Sequence, residues 1–127
     1  MTAKYNTRVG AAAGTFMPFT VGPDEMVLTG VTLEGIAEGD RVILDIDVSW
    51  LKPMCDLGEL ELMIRRDAPD GPIIYWTMET CYAQARTREE CVLAGDGAMR
   101  HFFLTARSIE HKAQLAAYYL EGTVDTP

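Results

Sequence analysis

The chain has 127 residues, 48% hydrophobic and 24% charged, with 11 basic against 19 acidic side chains. That length holds one hydrophobic core, and the apolar content excludes disorder. A net charge of −8 argues against nucleic acid and anionic membrane surfaces, since phosphate binding needs clustered Lys and Arg, and no apolar run approaches the ~20 residues that span a bilayer.

Residues 1–14 (MTAKYNTRVGAAAG) carry positive charge without the apolar core of a secretory signal. They read as a flexible N-terminal arm, with a single domain over 15–127. Apolar character resumes at Thr15–Val21 (TFMPFTV), where Pro18 suits an edge strand or bulge. Gly22-Pro23-Asp24 then precedes Met26–Leu33, which is rich in β-branched residues.

Strict alternation follows. In Arg41–Trp50 (RVILDIDVSW), Val42, Leu44, Ile46, Val48 and Trp50 share one face, with Asp45, Asp47 and Ser49 on the other. Successive strand side chains point to opposite faces, so this is a strand with one buried and one wet side. Glu59–Arg66 (ELELMIRR) repeats the pattern, with Leu60, Leu62 and Ile64 inward and Glu59, Glu61 and Arg65 outward. Asp67-Ala68-Pro69-Asp70-Gly71-Pro72 is a tight turn by composition and makes a hairpin with Ile73–Thr80 (IIYWTMET). Cys81–Leu93 (CYAQARTREECVL) is rich in good helix formers, and its sequence leaves helix and strand open. A further turn at Gly95-Asp96-Gly97 leads to a strand over His101–Ser108. Ala113–Val124 is read as the closing strand in spite of its helix propensity, because its surroundings are β-rich. Six or seven strands divided by turn signals make the chain all-β, a single-domain antiparallel sandwich of jelly-roll type.

No catalytic, cofactor-binding or metal-binding residue is assigned. His101 and His111 are the only histidines, and nothing in their spacing forces Cys91, Asp96 and His101 into a reactive group. Asp45 and Asp47 lie about 7 Å apart on one strand face. With Glu59 and Glu61 on a neighbouring strand they offer oxygen ligands for a hard cation, although a plain polar face neutralised by Arg65 or Arg66 explains them as well. Cys55, Cys81 and Cys91 lack zinc-site spacing and read as buried or free thiols, with a Cys81–Cys91 bridge or an intersubunit link as alternatives. Adjacent aromatic pairs are more informative, because alternation turns one member of each outward. Tyr75, Trp76, Phe103, Tyr118 and Tyr119, with Phe16 and Phe19, are the candidate interface residues. A sugar-stacking platform would use the same side chains.

His101–Val124 (HFFLTARSIEHKAQLAAYYLEGTV) resembles the closing hairpin of TNF/C1q-like jelly-roll modules of phage fibres and bacterial spore-surface or appendage proteins. Gly39–Trp50 and Gly58–Asp67 resemble the central strands of that group, and Cys81–Leu93 departs from it. The resemblance implies a non-enzymatic structural subunit, without cofactor, that assembles with copies of itself as a trimer, filament, fibre or shell. It also implies an N-terminal arm that pairs with the next subunit, here Thr2–Val21. An extracellular assembly or a virion or spore surface is the expected location, with the cytoplasm as the alternative. Competing readings are a glycan- or receptor-binding module and a small cupin- or lipocalin-like carrier or enzyme.

Overall fold

The computed structural model describes residues 2–52, 58–81, 83–97, 100–110 and 113–127. Its nine strands are β1 (Ala3–Ala11), β2 (Phe19–Val21), β3 (Met26–Thr32), β4 (Arg41–Leu51), β5 (Gly58–Arg66), β6 (Ile73–Cys81), β7 (Gln84–Ala94), β8 (His101–Arg107) and β9 (Ala113–Asp125). They form two sheets. Sheet A runs β1-β9-β4-β7, with β2 also on β9, and sheet B runs β3-β8-β5-β6. Every pairing is antiparallel.

The pairings β2–β9, β3–β8, β4–β7 and β5–β6 are nested about the β5–β6 turn. They fall alternately in sheets A and B. A long hairpin wrapped in this way is a jelly roll. The hairpin tip is the turn expected from composition. Asp67 takes φ 75°, a value that Asp and Asn tolerate better than most residues, and Gly71 N–H donates to the Ala68 carbonyl at 2.9 Å.

The core lies between the sheets, and β4 shows why. Val42, Leu44, Ile46, Val48 and Trp50 are all buried, and the residues between them are half-exposed. Leu60, Leu62 and Ile64 of β5 face them, with Phe102, Leu104 and Ala106 of β8. The Trp50 indole N–H donates to Thr87 Oγ1 at 3.3 Å, so the largest core side chain leaves no polar atom unpaired.

Two expectations from sequence meet a different outcome or a fuller one. Over most of Cys81–Leu93, where helix and strand stood open, the chain forms β7, paired with β4 without a register shift. Residues 1–14 were expected to be an arm, and Ala3–Ala11 are laid along β9 as β1. Of the β1 side chains, only Tyr5 packs against the core cluster.

Leu44 is fully buried beneath sheet B. Leu44→Ala is expected to cost about 2–5 kcal/mol, read as a lower urea midpoint at unchanged m-value.

Candidate interaction surfaces

The sequence-selected aromatics separate onto four places. Phe16, Phe19 and Tyr118 cluster at the end of the sandwich, with ring centroids 5.6 Å (Phe16–Tyr118) and 5.7 Å (Phe16–Phe19) apart. Tyr118 reaches this inner side because a bulge in β9, where Ser49 pairs Ala117 and Trp50 pairs Leu115, shifts the alternation. Tyr119 therefore lies on the outer face of sheet A, with the Arg8 guanidinium 4.0 Å from its ring centroid. Trp76 and Phe103 lie on the outer face of sheet B. Tyr75 turns inward from β6, opposite Ile64, where burial and then the Glu89 carboxylate of β7 push its phenol up.

On the outer face of sheet A, Asp47 is the hub. Arg86 donates to it from Nε at 2.9 Å and from Nη2 at 2.7 Å, and Arg8 lies 3.8 Å away. These hydrogen bonds with Arg86 hold the Asp47 carboxyl below its usual range. One register step away, Glu121, Asp45 and Glu90 stand side by side across β9, β4 and β7. Burial pushes the Asp45 carboxyl up, and Glu90 and Glu121 add to the shift. Together these groups line a shallow groove of about 470 Å³ with Arg8, Arg88 and Tyr119 on its walls.

Arg8 belongs to a set of polar ties that fasten β1. Lys4 meets Asp40 at 2.5 Å, and Asn6 Nδ2 donates to Thr123 Oγ1 at 2.8 Å and to Glu121 Oε2 at 3.3 Å. At Gly10 the backbones approach so closely that a Cβ would collide with the Tyr118 carbonyl. The strand is therefore held by its ladder and its charges rather than by buried apolar side chains.

The outer face of sheet B carries a different network. Glu61 was expected to face solvent, and it is on the outer face, but it is buried. Arg107 donates to it from Nε at 2.6 Å and from Nη2 at 3.2 Å, and the Trp76 indole donates at 3.0 Å. These side chains cover it. The hydrogen bonds from Arg107, then that from Trp76, hold its carboxyl below the usual glutamate range. Arg65 makes a parallel bidentate pair with Glu25 at 2.6 and 2.7 Å.

Asp45, Asp47, Glu59 and Glu61, whose oxygens were the alternative to a plain polar face, do not come together. The first two sit in sheet A and the last two in sheet B. Among the described residues no group of His, Cys, Asp or Glu has the geometry to hold a metal ion. Asp47 of β4 is paired with Arg86 and Arg8, not with Arg65 or Arg66, because β4 pairs with β7 and β9 rather than β5. Cys81 and Cys91 are free thiols, which leaves no bridge between them; Cys55 and His111 lie outside the described residues. Cys91 faces the core from β7 in sheet A, while His101 is on sheet B with Nδ1 3.0 Å from Thr32 Oγ1. The Cys91–His101 pairing therefore does not form. Nothing in the sequence marked Arg8 or Arg86 as the partners of Asp47, since both pairings depend on which strands become neighbours.

No family model matches the chain, and no curated protein does. Solved structures do share its fold. The VP2 subviral particle of infectious bursal disease virus matches with TM-score 0.61 at 12% identity, over 98% of this chain and 34% of that one. Dimeric latent PorU from Porphyromonas gingivalis matches with TM-score 0.53 at 12% identity, over 98% of this chain and 14% of that one. This chain thus spans about a third and about a seventh of the chains it resembles. A Bacillus endospore appendage, described as one of a family of disulfide-linked pili, aligns over 100% of this chain and 93% of its own at 8% identity, with a TM-score of only 0.48. At these identities the likeness establishes the fold alone: an antiparallel β-sandwich of jelly-roll type.

The buried Glu61 and the half-exposed Asp45 make opposite contributions to stability with pH. The Glu61 pKa is depressed on folding, so its contribution is present above the usual glutamate value and is lost as pH falls through the folded value. The Asp45 pKa is raised, so stability falls as pH rises through it. In urea titrations Glu61→Gln is expected to lower stability at neutral pH by about 1–3 kcal/mol, with a smaller effect in acid. Asp45→Asn is expected to raise stability at neutral pH, with the gain disappearing in acid.

Proposed function

We propose that this chain is a non-enzymatic structural subunit that assembles with copies of itself into a filament, fibre, appendage or shell, its N-terminal segment serving as an exchangeable strand. The observation that carries this reading is the seat of β1. It pairs with β9 along Ala3–Ala11, yet it gives the core little more than the partly buried Tyr5. Val9 is 42% exposed. Removing β1 would therefore uncover an edge of β9 without opening the core.

The connection supports exchange. β1 ends opposite Tyr118 and β2 begins opposite Leu115, so both run in one direction along β9. Between them, residues 12–18 form a loop that includes Gly14 at φ 85°, a conformation glycine takes without strain. A hinge at this loop would let β1 pair with β9 of a neighbour by the same ladder, which is strand addition between copies. Head-to-tail exchange that does not close gives a filament, and exchange that closes gives a ring or shell. The likeness to a VP2 subviral particle supports, at the level of fold, a part in such a particle. An extracellular, virion or spore-surface setting fits this role.

The test is light scattering with negative-stain imaging on three proteins. The intact chain is expected to form large assemblies, and deletion of residues 1–14 is expected to reduce these to a discrete oligomer. Gly10→Val in the full chain should act like the deletion, because the added side chain blocks the seat on any β9. Polymers that survive both changes would refute the exchangeable strand. A monomeric intact chain would refute assembly altogether.

A further inference from the structure

The free edges of the two sheets are not equally protected. Natural edge strands carry charges, Pro, bulges or inward-pointing charged residues that prevent pairing with another chain. β7 has Arg86, Arg88 and Glu90 along its outer face and Glu89 turned inward. β3 has a register shift between Val27 and Thr29. β1 carries Lys4, Arg8 and the tightly seated Gly10.

β6 differs. It is the outer strand of sheet B, and Ile73–Met78 reads IIYWTM, with no charge, Pro or Gly. Its one irregularity against β5 lies at its start, between Tyr75 and Ile73. Ile73 is 48% exposed, Trp76 51% and Met78 48%. High β-propensity without charge on an open edge is the pattern that recruits another strand.

We propose that β6 pairs with β6 of a second copy, antiparallel and centred on Thr77, to join sheet B of the two copies into one continuous sheet. This deepens the self-assembly reading and rests on it, but it needs no movement of β1. The register follows from the side chains. Trp76 and Met78 are on the outer face, opposite Met63 and Glu61, while Tyr75, Thr77 and Glu79 face inward, opposite Ile64, Leu62 and Leu60. Centring on Thr77 sets Trp76 of each copy against Met78 of the other, a favourable sulfur–aromatic contact. It sets Thr77 against Thr77, a favoured cross-strand pair, and Tyr75 against Glu79, so that no two carboxylates are opposed. Centring on Glu79 would oppose two carboxylates, and centring on Trp76 would set Glu79 against Ile73. The pairing is isologous and closes as a two-fold dimer.

Two experiments on the full chain test this. With Cys55, Cys81 and Cys91 replaced by Ser, Thr77→Cys is expected to give a covalent dimer under mild oxidation. Thr80→Cys should stay unlinked, because its two copies would be roughly 20 Å apart along the strands. Met78→Lys, which puts a charge at the centre of the contact, is expected to raise the dimer dissociation constant at least tenfold in sedimentation equilibrium, with an unchanged circular-dichroism spectrum. Equal linkage at both positions, or none at Thr77, overturns the pairing, and this result decides alone if Met78→Lys does not fold. Folded Met78→Lys dimers of undiminished affinity overturn it too. Polymers without Thr77 linkage would leave the exchangeable β1 standing, and Thr77 linkage without polymers would do the reverse.

Discussion

The fold depends on one constraint, that β4 keep Val42, Leu44, Ile46, Val48 and Trp50 on a single buried face while paired on both sides. A slip of one residue would drive Asp45, Asp47 and Ser49 into the core. The flanking strands have to accommodate this. β9 sets Val124, Gly122 and Leu120 opposite Val42, Leu44 and Ile46, and then takes a bulge before Leu115 meets Trp50. Gly122 fits its place because a Cβ there would run into the side chain of Leu33. β7 meets the same face with the smaller Ala85, Thr87 and Cys91, as suits a strand at the margin of the core.

The outer faces inherit their chemistry from that inner requirement. Once alternation has put Asp45 and Asp47 outside, their neighbours are decided by strand order. Asp47 receives Arg86 from β7 and Arg8 from β1, whereas Asp45 receives carboxylates on both sides. Sheet A is thus neutralised unevenly, and part of its balancing charge is carried by β1. Sheet B solves the same problem internally, with Arg107 on Glu61 and Arg65 on Glu25. β1 thus carries charge that meets Asp47 and Asp40, whereas Ile73–Met78 of β6 carries none.

Much of this was legible in the residues, and the exceptions have physical causes. β4, β5, the turn at Asp67–Pro72 and β6 announce themselves because a two-residue period and strong breakers are local signals. β7 does not, because an edge strand needs little inward bulk and its Thr87, Glu89 and Cys91 give no hydrophobic alternation. Ala, Gln, Arg and Glu favour a helix there until pairing with β4 overrides them. The face of Glu61 was readable from β5 alone, but its burial needed Arg107 and Trp76, distant in sequence. The separation of Asp45 and Asp47 from Glu59 and Glu61 was hidden for a related reason, since alternation assigns a face and says nothing of which sheet a strand joins. Alternation turns one member of each aromatic pair outward without saying which; the pairing with β5 and β4 makes them Trp76 and Tyr119.

The wrapped hairpin from β2 to β9 shares one core, and β1 is fastened to it separately by its ladder and its charges. Such a strand should open at lower free energy than the core, as locally held elements do. Hydrogen exchange followed by mass spectrometry on the intact chain tests this directly. The amides of Ala3–Ala11 are expected to exchange well ahead of those of Arg41–Leu51, without exposing β4. Protection of β1 equal to that of β4, with both lost in a single global opening, would contradict that separate fastening.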